Sequence, residues 1–222
     1  MKKMWIIGSQ SMKTKFGKAE QTEDEEYASL SNKCKTSQKA SEDFVKHVNQ
    51  LVENFNAFSS TLTFLADDMR ELNTENNHNI EVIAQTFKKV AQNVDTACVK
   101  SFQNNVTEQI VQPVNEYIVQ FATLEKLHKE HKNLTLQLDY YRQQVQKLVE
   151  KPSKNPLDLP KAKETLSTFQ EQYDNVSNQC KQEMLNILEK EGPLFEKVVP
   201  TIVANLLEWN NSNSKVMNDL KH

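Results

Sequence analysis

The side chains in this sequence that could act chemically are mostly lysines, because the usual motifs of catalysis are missing. There is no GxxxxGK[ST] phosphate-binding loop and no HExxH metal motif. His128 and His131 are three residues apart, so both could face a metal from one helix, but no cysteine or carboxylate is arranged to complete a site. We therefore expect no enzymatic activity, no metal and no cofactor. We expect these histidines instead to add positive charge at acidic pH.

Positive charge is concentrated in two segments of the chain. The 222 residues have a formal net charge of −3, which by itself indicates no anionic partner. Residues 1–18, however, contain five lysines and no acid, and residues 126–163 contain nine basic and four acidic residues. Each segment therefore carries +5, and the rest of the chain is strongly acidic. Two separate basic segments on an acidic protein favour contact with something anionic.

The first basic segment, MKKMWIIGSQSMKTKFGK, combines lysines with large apolar side chains. In a helix, Met1, Met4, Trp5, Met12 and Phe16 would share one face with lysines beside it. That pattern is typical of a segment lying in a membrane interface, with Trp5 at the depth of the headgroups. The alternatives are a disordered tail and a tail folded back on the rest of the chain. The candidate membrane-contact residues here are Lys2, Lys3, Trp5, Lys13 and Lys15.

The second basic segment surrounds a proline-rich loop, KPSKNPLDLPK, at residues 151–161. We call residues 147–163 the basic loop region. Each basic residue near an anionic bilayer contributes about 1 kcal/mol, so several on one surface would give salt-sensitive binding. A loop whose lysines are merely solvated is the alternative. The candidate residues are Lys129, Lys132 and Arg142 before the loop, and Lys147, Lys151, Lys154, Lys161 and Lys163 around it.

The elements that position these residues are predicted to be long helices. The chain has only three glycines, whereas roughly fifteen would be expected at an average content of about 7%. Sheet proteins need frequent glycine and proline at their turns, so sandwiches, barrels and α/β folds are excluded. From Tyr27 to Leu72 the positions at alternating spacings of three and four are apolar except for Ser37 and Ser41, which is a heptad pattern. We predict an all-α fold with helices at approximately 18–73, 79–150 and 160–221.

The second predicted helix has an irregular apolar pattern. From Val90 to Val114 every step is four residues, and a stripe of that period drifts around a helix of 3.6 residues per turn. The contact face must therefore rotate or the helix must bend there, and Pro113 favours a kink. In the third helix, Gly192, Pro193 and Pro200 predict a second bent region.

The composition also predicts the assembly and its compartment. Only 37% of the residues are hydrophobic and the mean hydropathy is −0.69, so one thin three-helix rod would have a poorly covered core. A homodimer of long antiparallel helices is therefore expected. Two spectrin-like repeats are the alternative, but they would need a break near residue 50, where the heptad pattern is unbroken. Three scattered cysteines and the lack of a long apolar stretch or secretory signal predict a cytoplasmic protein without a membrane span.

In its motifs the sequence resembles the BAR domain family, specifically the N-BAR branch that includes amphiphysin and endophilin. The segment FGKAEQTEDEEY at residues 16–27 resembles the family's junction between an N-terminal amphipathic segment and the first helix. The mid-helix proline segment, the Asp-x-x-Arg run, the loop and a Pro-Leu-Phe segment follow in the family's order. In this chain they read VQPV at 111–114, DYYR at 139–142, KPSKNPLDLPKA at 151–162 and GPLF at 192–195.

The resemblance implies an amphipathic segment at residues 1–17 and a BAR domain at 18–222, forming a crescent-shaped antiparallel homodimer of kinked three-helix coiled coils. By position, Lys129, Lys132 and Arg142 would lie on the concave face and Lys151, Lys154, Lys161 and Lys163 at the tips.

The function implied is binding to anionic, curved membranes, with phosphoinositides as candidate lipids, in endocytosis or membrane traffic linked to actin and endocytic proteins. No nucleic-acid partner is implied, and the protein would be peripheral to the membrane. The family usually has a denser basic run where this chain reads HKEHKN at 128–133, which predicts weaker curvature generation. A dimeric coiled-coil scaffold or tether that acts through protein contacts without lipid is the alternative.

Overall fold

The computed structural model describes residues 24–73 and 77–221, and this part of the chain is helical without a strand. The all-α fold of three long helices is confirmed. The second long helix, 78–150, consists of three α-helical stretches joined by two π-helical segments. The predicted segment 1–17 and residues 18–23 of the predicted first helix lie outside the described residues. The α-helices are α1 (Glu25–Glu71), α2 (His78–Asn93), α3 (Lys100–Val106), α4 (Gln112–Glu150) and α5 (Asp158–Met217), and a 3₁₀ turn follows at Asn218–Lys221.

Side-chain caps mark where two of these helices begin. The Asp24 carboxylate accepts a hydrogen bond from the Tyr27 backbone N–H at 2.9 Å, which satisfies one of the free donors at the start of α1. The Asn77 side chain does the same for Asn79 at the start of α2, at 3.0 Å. None of the helices in the described part of the chain is long and apolar enough to cross a bilayer.

The described residues form two compact units. The first contains residues 24–37 with 119–189, and the second contains 38–73 and 77–118 with 190–221. In the first unit the buried apolar residues come from α1, α4 and α5, and include Leu138, Met184 and Ile187. In the second unit, a cluster from α1, the second long helix and α5 forms the core. Its fully packed members are Val45, Val48, Val52, Phe102, Val106, Ile110, Val114 and Val198.

The two π-helical segments, Val94–Val99 and Thr107–Val111, fall within the stretch where apolar residues recur every fourth position. Six steps of four residues drift by about 240° around an α-helix. Each π turn takes up one extra residue, or about 100°, so two of them cancel most of the drift. Every member of the stripe from Val90 to Val114 is accordingly buried. The helix therefore unwinds locally and keeps its contact face, and Pro113 follows directly after the second π segment.

The third long helix continues through the residues that predict a bend. Gly192, Pro193 and Pro200 all lie inside α5, which is assigned as α-helix without a break from Asp158 to Met217. The three cysteines, Cys34, Cys98 and Cys180, are buried thiols.

We predict that Ile110→Ala destabilises the protein by about 3 kcal/mol, because Ile110 is fully buried and a cavity would remain. Val119→Ala, on the same long helix at a side chain that is 68% exposed, should change stability by less than about 0.5 kcal/mol. Guanidinium unfolding at one protein concentration measures both. Equal effects would contradict the burial of the four-residue stripe.

Candidate functional site

The predicted basic loop region lies in the first unit, at the end of α4, the connecting loop 151–157 and the start of α5. All five of its lysines, at positions 147, 151, 154, 161 and 163, are exposed. None of them forms a salt bridge with any residue in the described part of the chain. Their charges are therefore available to an external anion.

Asp158 is the only acid among residues 151–163, and neutral donors occupy its carboxylate. Ser153 Oγ donates to one carboxylate oxygen at 2.6 Å, and Asn155 Nδ2 donates to the other at 2.8 Å. The Asn155 side chain also accepts the backbone N–H of Leu157 at 3.2 Å. The Asp158 carboxylate thus holds the loop together through Ser153 and Asn155, and it forms no salt bridge with a lysine of the described residues.

A second group of lysines lies on α4 before the loop. Lys129 and Lys132 are both exposed, and Lys126 is exposed beside them. At about 100° per residue, Lys126, Lys129 and Lys147 lie within about 60° of one another, on the side opposite the buried Leu124. The sequence prediction missed Lys126 as a site residue, although its helical spacing from Lys129 would have identified it.

Arg142 is placed differently from these lysines. Its guanidinium donates to Gln170 Oε1 on α5 at 2.8 Å, next to a stacked pair of rings, Tyr141 and Phe169, whose centroids are 4.7 Å apart. Arg142 is exposed, but it also joins two helices. The N-terminal candidates Lys2, Lys3, Trp5, Lys13 and Lys15 lie outside the described residues.

The acidic junction at the start of α1 is held by a lysine of α5. Lys181 Nζ lies 3.0 Å from an oxygen of Asp24 and 3.0 Å from one of Glu26, and the Ser177 hydroxyl donates to Asp24 at 2.8 Å. Burial opposes ionisation of Asp24, but the hydrogen bonds from the Tyr27 N–H, Lys181 and Ser177 outweigh it and lower the pKa of the carboxyl.

The two histidines lie beside this junction, and His131 is buried. The ring of Tyr27 stacks on His131 at 3.8 Å, and the Tyr27 hydroxyl lies 2.6 Å from His128 Nδ1. Burial is the main cause that raises the pKa of Tyr27, so the phenol keeps its proton. We call Asp24, Tyr27, His128, His131 and Lys181 the anchor cluster.

The expectation that these histidines add surface charge at acidic pH is wrong for His131. Burial is the main cause that lowers the pKa of both rings. For His131, His128 and Lys181 lower the pKa further, while Asp24 opposes them. For His128, Lys35 lowers the pKa and Glu125 raises it. Folding therefore disfavours protonation of both imidazoles, and in the folded protein His131 packs against Tyr27 while His128 forms a hydrogen bond with the Tyr27 hydroxyl.

The basic surface and the three-helix fold can now be compared with known proteins. The sequence profile of the BAR domain matches residues 2–222. This chain belongs to the BAR domain family. The resemblance drawn from its motifs is confirmed.

Among related proteins, the chain is 23% identical to "Reduced viability upon starvation protein 161" of Saccharomyces cerevisiae over 193 residues, covering 86% of this chain and 73% of that protein. It is 21% identical to "Regulator of cytoskeleton and endocytosis RVS161" of Candida albicans, with the same coverage. It is also 21% identical to "Protein hob3" of Schizosaccharomyces pombe, over 90% of this chain and 75% of that protein.

Solved BAR structures share the fold. A BAR protein from Galdieria sulphuraria has a TM-score of 0.69 at 12% identity, covering 90% of this chain and 97% of that chain. The amphiphysin BAR domain from Drosophila has a TM-score of 0.65 at 16% identity, covering 91% and 92%. At these identities the likeness establishes the BAR fold alone.

The anchor cluster predicts a pH-dependent stability. Because the pKa values of His128 and His131 are lower in the folded state, the unfolded chain binds more protons, so stability is complete above about pH 6.5 and falls below it. We expect each histidine to contribute up to about 1.4 kcal/mol per pH unit within that window. Thermal unfolding between pH 7.5 and 5.5 measures the slope.

His131→Phe should flatten this slope, since phenylalanine can stack on Tyr27 without taking up a proton. His47→Gln is the matched control, because His47 is exposed on α1. A slope in His131→Phe as steep as in the unmodified protein would show that the buried ring does not carry the effect.

Proposed function

We propose that this BAR domain protein binds anionic membranes through the basic loop region and the exposed lysines of α4, and that it senses or induces membrane curvature. The observation that carries the proposal is that the exposed lysines at 129, 132, 147, 151, 154, 161 and 163 have no salt-bridge partner among residues 24–73 and 77–221. Exposed charges of one sign that are not neutralised within the protein attract an anionic surface.

The cellular process proposed is endocytosis or membrane traffic linked to actin. The name of the Candida albicans relative, a regulator of cytoskeleton and endocytosis, supports this process, with actin-associated and endocytic proteins as partners. Residues 1–17 would add an amphipathic segment of the N-BAR type, with Lys2, Lys3, Lys13 and Lys15 near the headgroups and Trp5 at the interface. The protein would then be cytoplasmic and peripheral to the membrane, with phosphoinositides as candidate lipids.

The second part of the proposal is a homodimer formed through the second unit. Eleven of the fifteen large apolar side chains that are exposed in the described residues belong to this unit. Phe58, Leu65 and Leu72 are among them at intervals of seven residues, so they occupy equivalent heptad positions at the C-terminal end of α1. Val199, Val203 and Leu207 form a second exposed stripe, on α5. A heptad position exposed in the single chain favours burial against a second copy.

Cosedimentation with vesicles tests the membrane proposal. Binding should require anionic lipid and should weaken from about 50 to 200 mM salt. Replacing Lys151, Lys154, Lys161 and Lys163 by Glu should reduce the affinity about a hundredfold or more, because each lysine contributes about 1 kcal/mol and glutamate is repelled.

The matched control replaces four exposed lysines of other segments, Lys33, Lys39, Lys46 and Lys197, by Glu. Both variants have the same net charge, so an equal loss of binding would assign the effect to net charge and not to the basic loop region. Binding of the unmodified protein that is indifferent to lipid charge would contradict the proposal and favour the dimeric scaffold or tether.

Leu65→Glu tests the dimer. Leu65 is 45% exposed in the single chain, and a buried unpaired carboxylate at an interface is strongly unfavourable. We expect the dimer to weaken by more than about tenfold, measured by light scattering after size-exclusion chromatography, with the helical content unchanged in circular dichroism. Thr61→Glu, at an exposed polar position one turn earlier, is the control. An unchanged mass for Leu65→Glu would place the interface elsewhere.

A further inference from the structure

The basic loop region also carries two large apolar side chains that are more than half exposed. Val149 lies near the end of α4 and is 58% exposed, and Leu157 ends the connecting loop and is 57% exposed. Lys147 and Lys151 flank Val149 in the sequence, and Lys154 and Lys161 flank Leu157. Isolated exposed apolar residues are ordinary on a protein surface, but here they share a short segment with lysines that have no salt-bridge partner in the described part of the chain.

The loop that presents Leu157 is held in one conformation by its own hydrogen bonds. The Leu157 N–H donates to Asn155 Oδ1 at 3.2 Å, and the Leu157 carbonyl accepts the Lys161 N–H at 3.2 Å. The Asp158 N–H donates to the Asn155 carbonyl at 3.2 Å, and the Lys151 N–H donates to the Lys147 carbonyl at 2.9 Å.

These hydrogen bonds already satisfy backbone N–H and carbonyl groups of the loop. The groups therefore do not lose their only hydrogen-bond partners, water molecules, when the loop enters a less polar phase. Pro152 and Pro156 have no N–H to satisfy and restrict the backbone further. Burying a polar group without a hydrogen bond is costly, and a segment that is already ordered loses little conformational freedom on binding. The loop is therefore suited to bring its apolar side chain into an apolar environment.

We propose that Leu157, supported by Val149, inserts into the boundary between headgroups and acyl chains of an anionic bilayer while the surrounding lysines contact the headgroups. This inference rests on the proposed membrane binding and adds an apolar contribution to it. The lysine charges indicate an anionic bilayer as the partner, because an exposed apolar side chain flanked in the sequence by exposed lysines matches a surface that is anionic outside and apolar beneath.

A fluorescent label at position 157 tests the insertion directly. The native cysteines Cys34, Cys98 and Cys180 are buried, so Leu157→Cys in the full chain would react selectively with an environment-sensitive thiol dye. Vesicles of phosphatidylserine and phosphatidylcholine should shift its emission to the blue, and lipids brominated on the acyl chain should quench it. The same dye on Val119→Cys, an exposed position of the same unit outside the basic loop region, should show neither change.

Binding measurements complete the test. Leu157→Ser should weaken binding to these vesicles about tenfold, and the loss should persist when salt is raised, because removal of apolar contact is not screened. Val119→Ser should bind as the unmodified protein does.

The outcomes separate the insertion from the membrane binding on which it rests. If the unmodified protein binds anionic vesicles in a salt-sensitive way but the label at 157 stays in water, or if Leu157→Ser binds normally, the insertion is overturned and membrane binding stands. If the unmodified protein does not bind anionic vesicles, both are overturned. A shift at 157 and an equal shift at 119 would indicate non-specific adsorption and would also overturn the insertion.

Discussion

The core of the second unit depends on reconciling a four-residue apolar repeat with a helix of 3.6 residues per turn. An unmodified α-helix would carry half of the stripe from Val90 to Val114 away from the core. Two π turns absorb the difference, so that Phe102, Val106, Ile110 and Val114 all pack against α1 and α5. A π turn has poorer hydrogen-bond geometry than an α turn, and the burial of a continuous apolar stripe offsets that cost.

In the first unit, acids and lysines interact differently in the anchor cluster and in the basic loop region. In the anchor cluster, Asp24 and Lys181 pair with each other, and the neutral rings of Tyr27 and His131 stack beside them. In the basic loop region, Asp158 is satisfied by Ser153 and Asn155 instead, and the lysines form no salt bridge with any residue that the structure describes. The same residue types therefore stabilise the fold at one site and leave charge for a partner at the other. This separation is the physical basis of the proposed membrane contact.

The heptad positions of α1 differ in burial along the helix. Near its start, Leu30 and Cys34 are buried within the first unit, whereas Leu65 and Leu72 near its end are exposed in the single chain. Apart from Ser37 and Ser41 the repeat stays apolar along the helix, so a loss of apolar character does not explain the exposure of Leu65 and Leu72. In the proposed dimer a second copy would cover the exposed positions. Heptad residues at both ends of α1 would then be buried against another helix.

The sequence alone determined the helical class, the loops and the segregation of charge, because glycine scarcity, helical periodicity and net charge are properties of local segments. Even the irregularity between Val90 and Val114 was visible in the spacing, although its solution by π turns was not. Only the tertiary structure decided which charged side chains pair with another residue and which stay exposed. Lys181 meets Asp24, and Tyr27 meets His128, across separations of more than a hundred residues, and no local pattern encodes those contacts. For the same reason the burial of His131 and the exposure of Leu157 could not be predicted from the sequence, because they depend on which distant residues pack against each side chain in the fold.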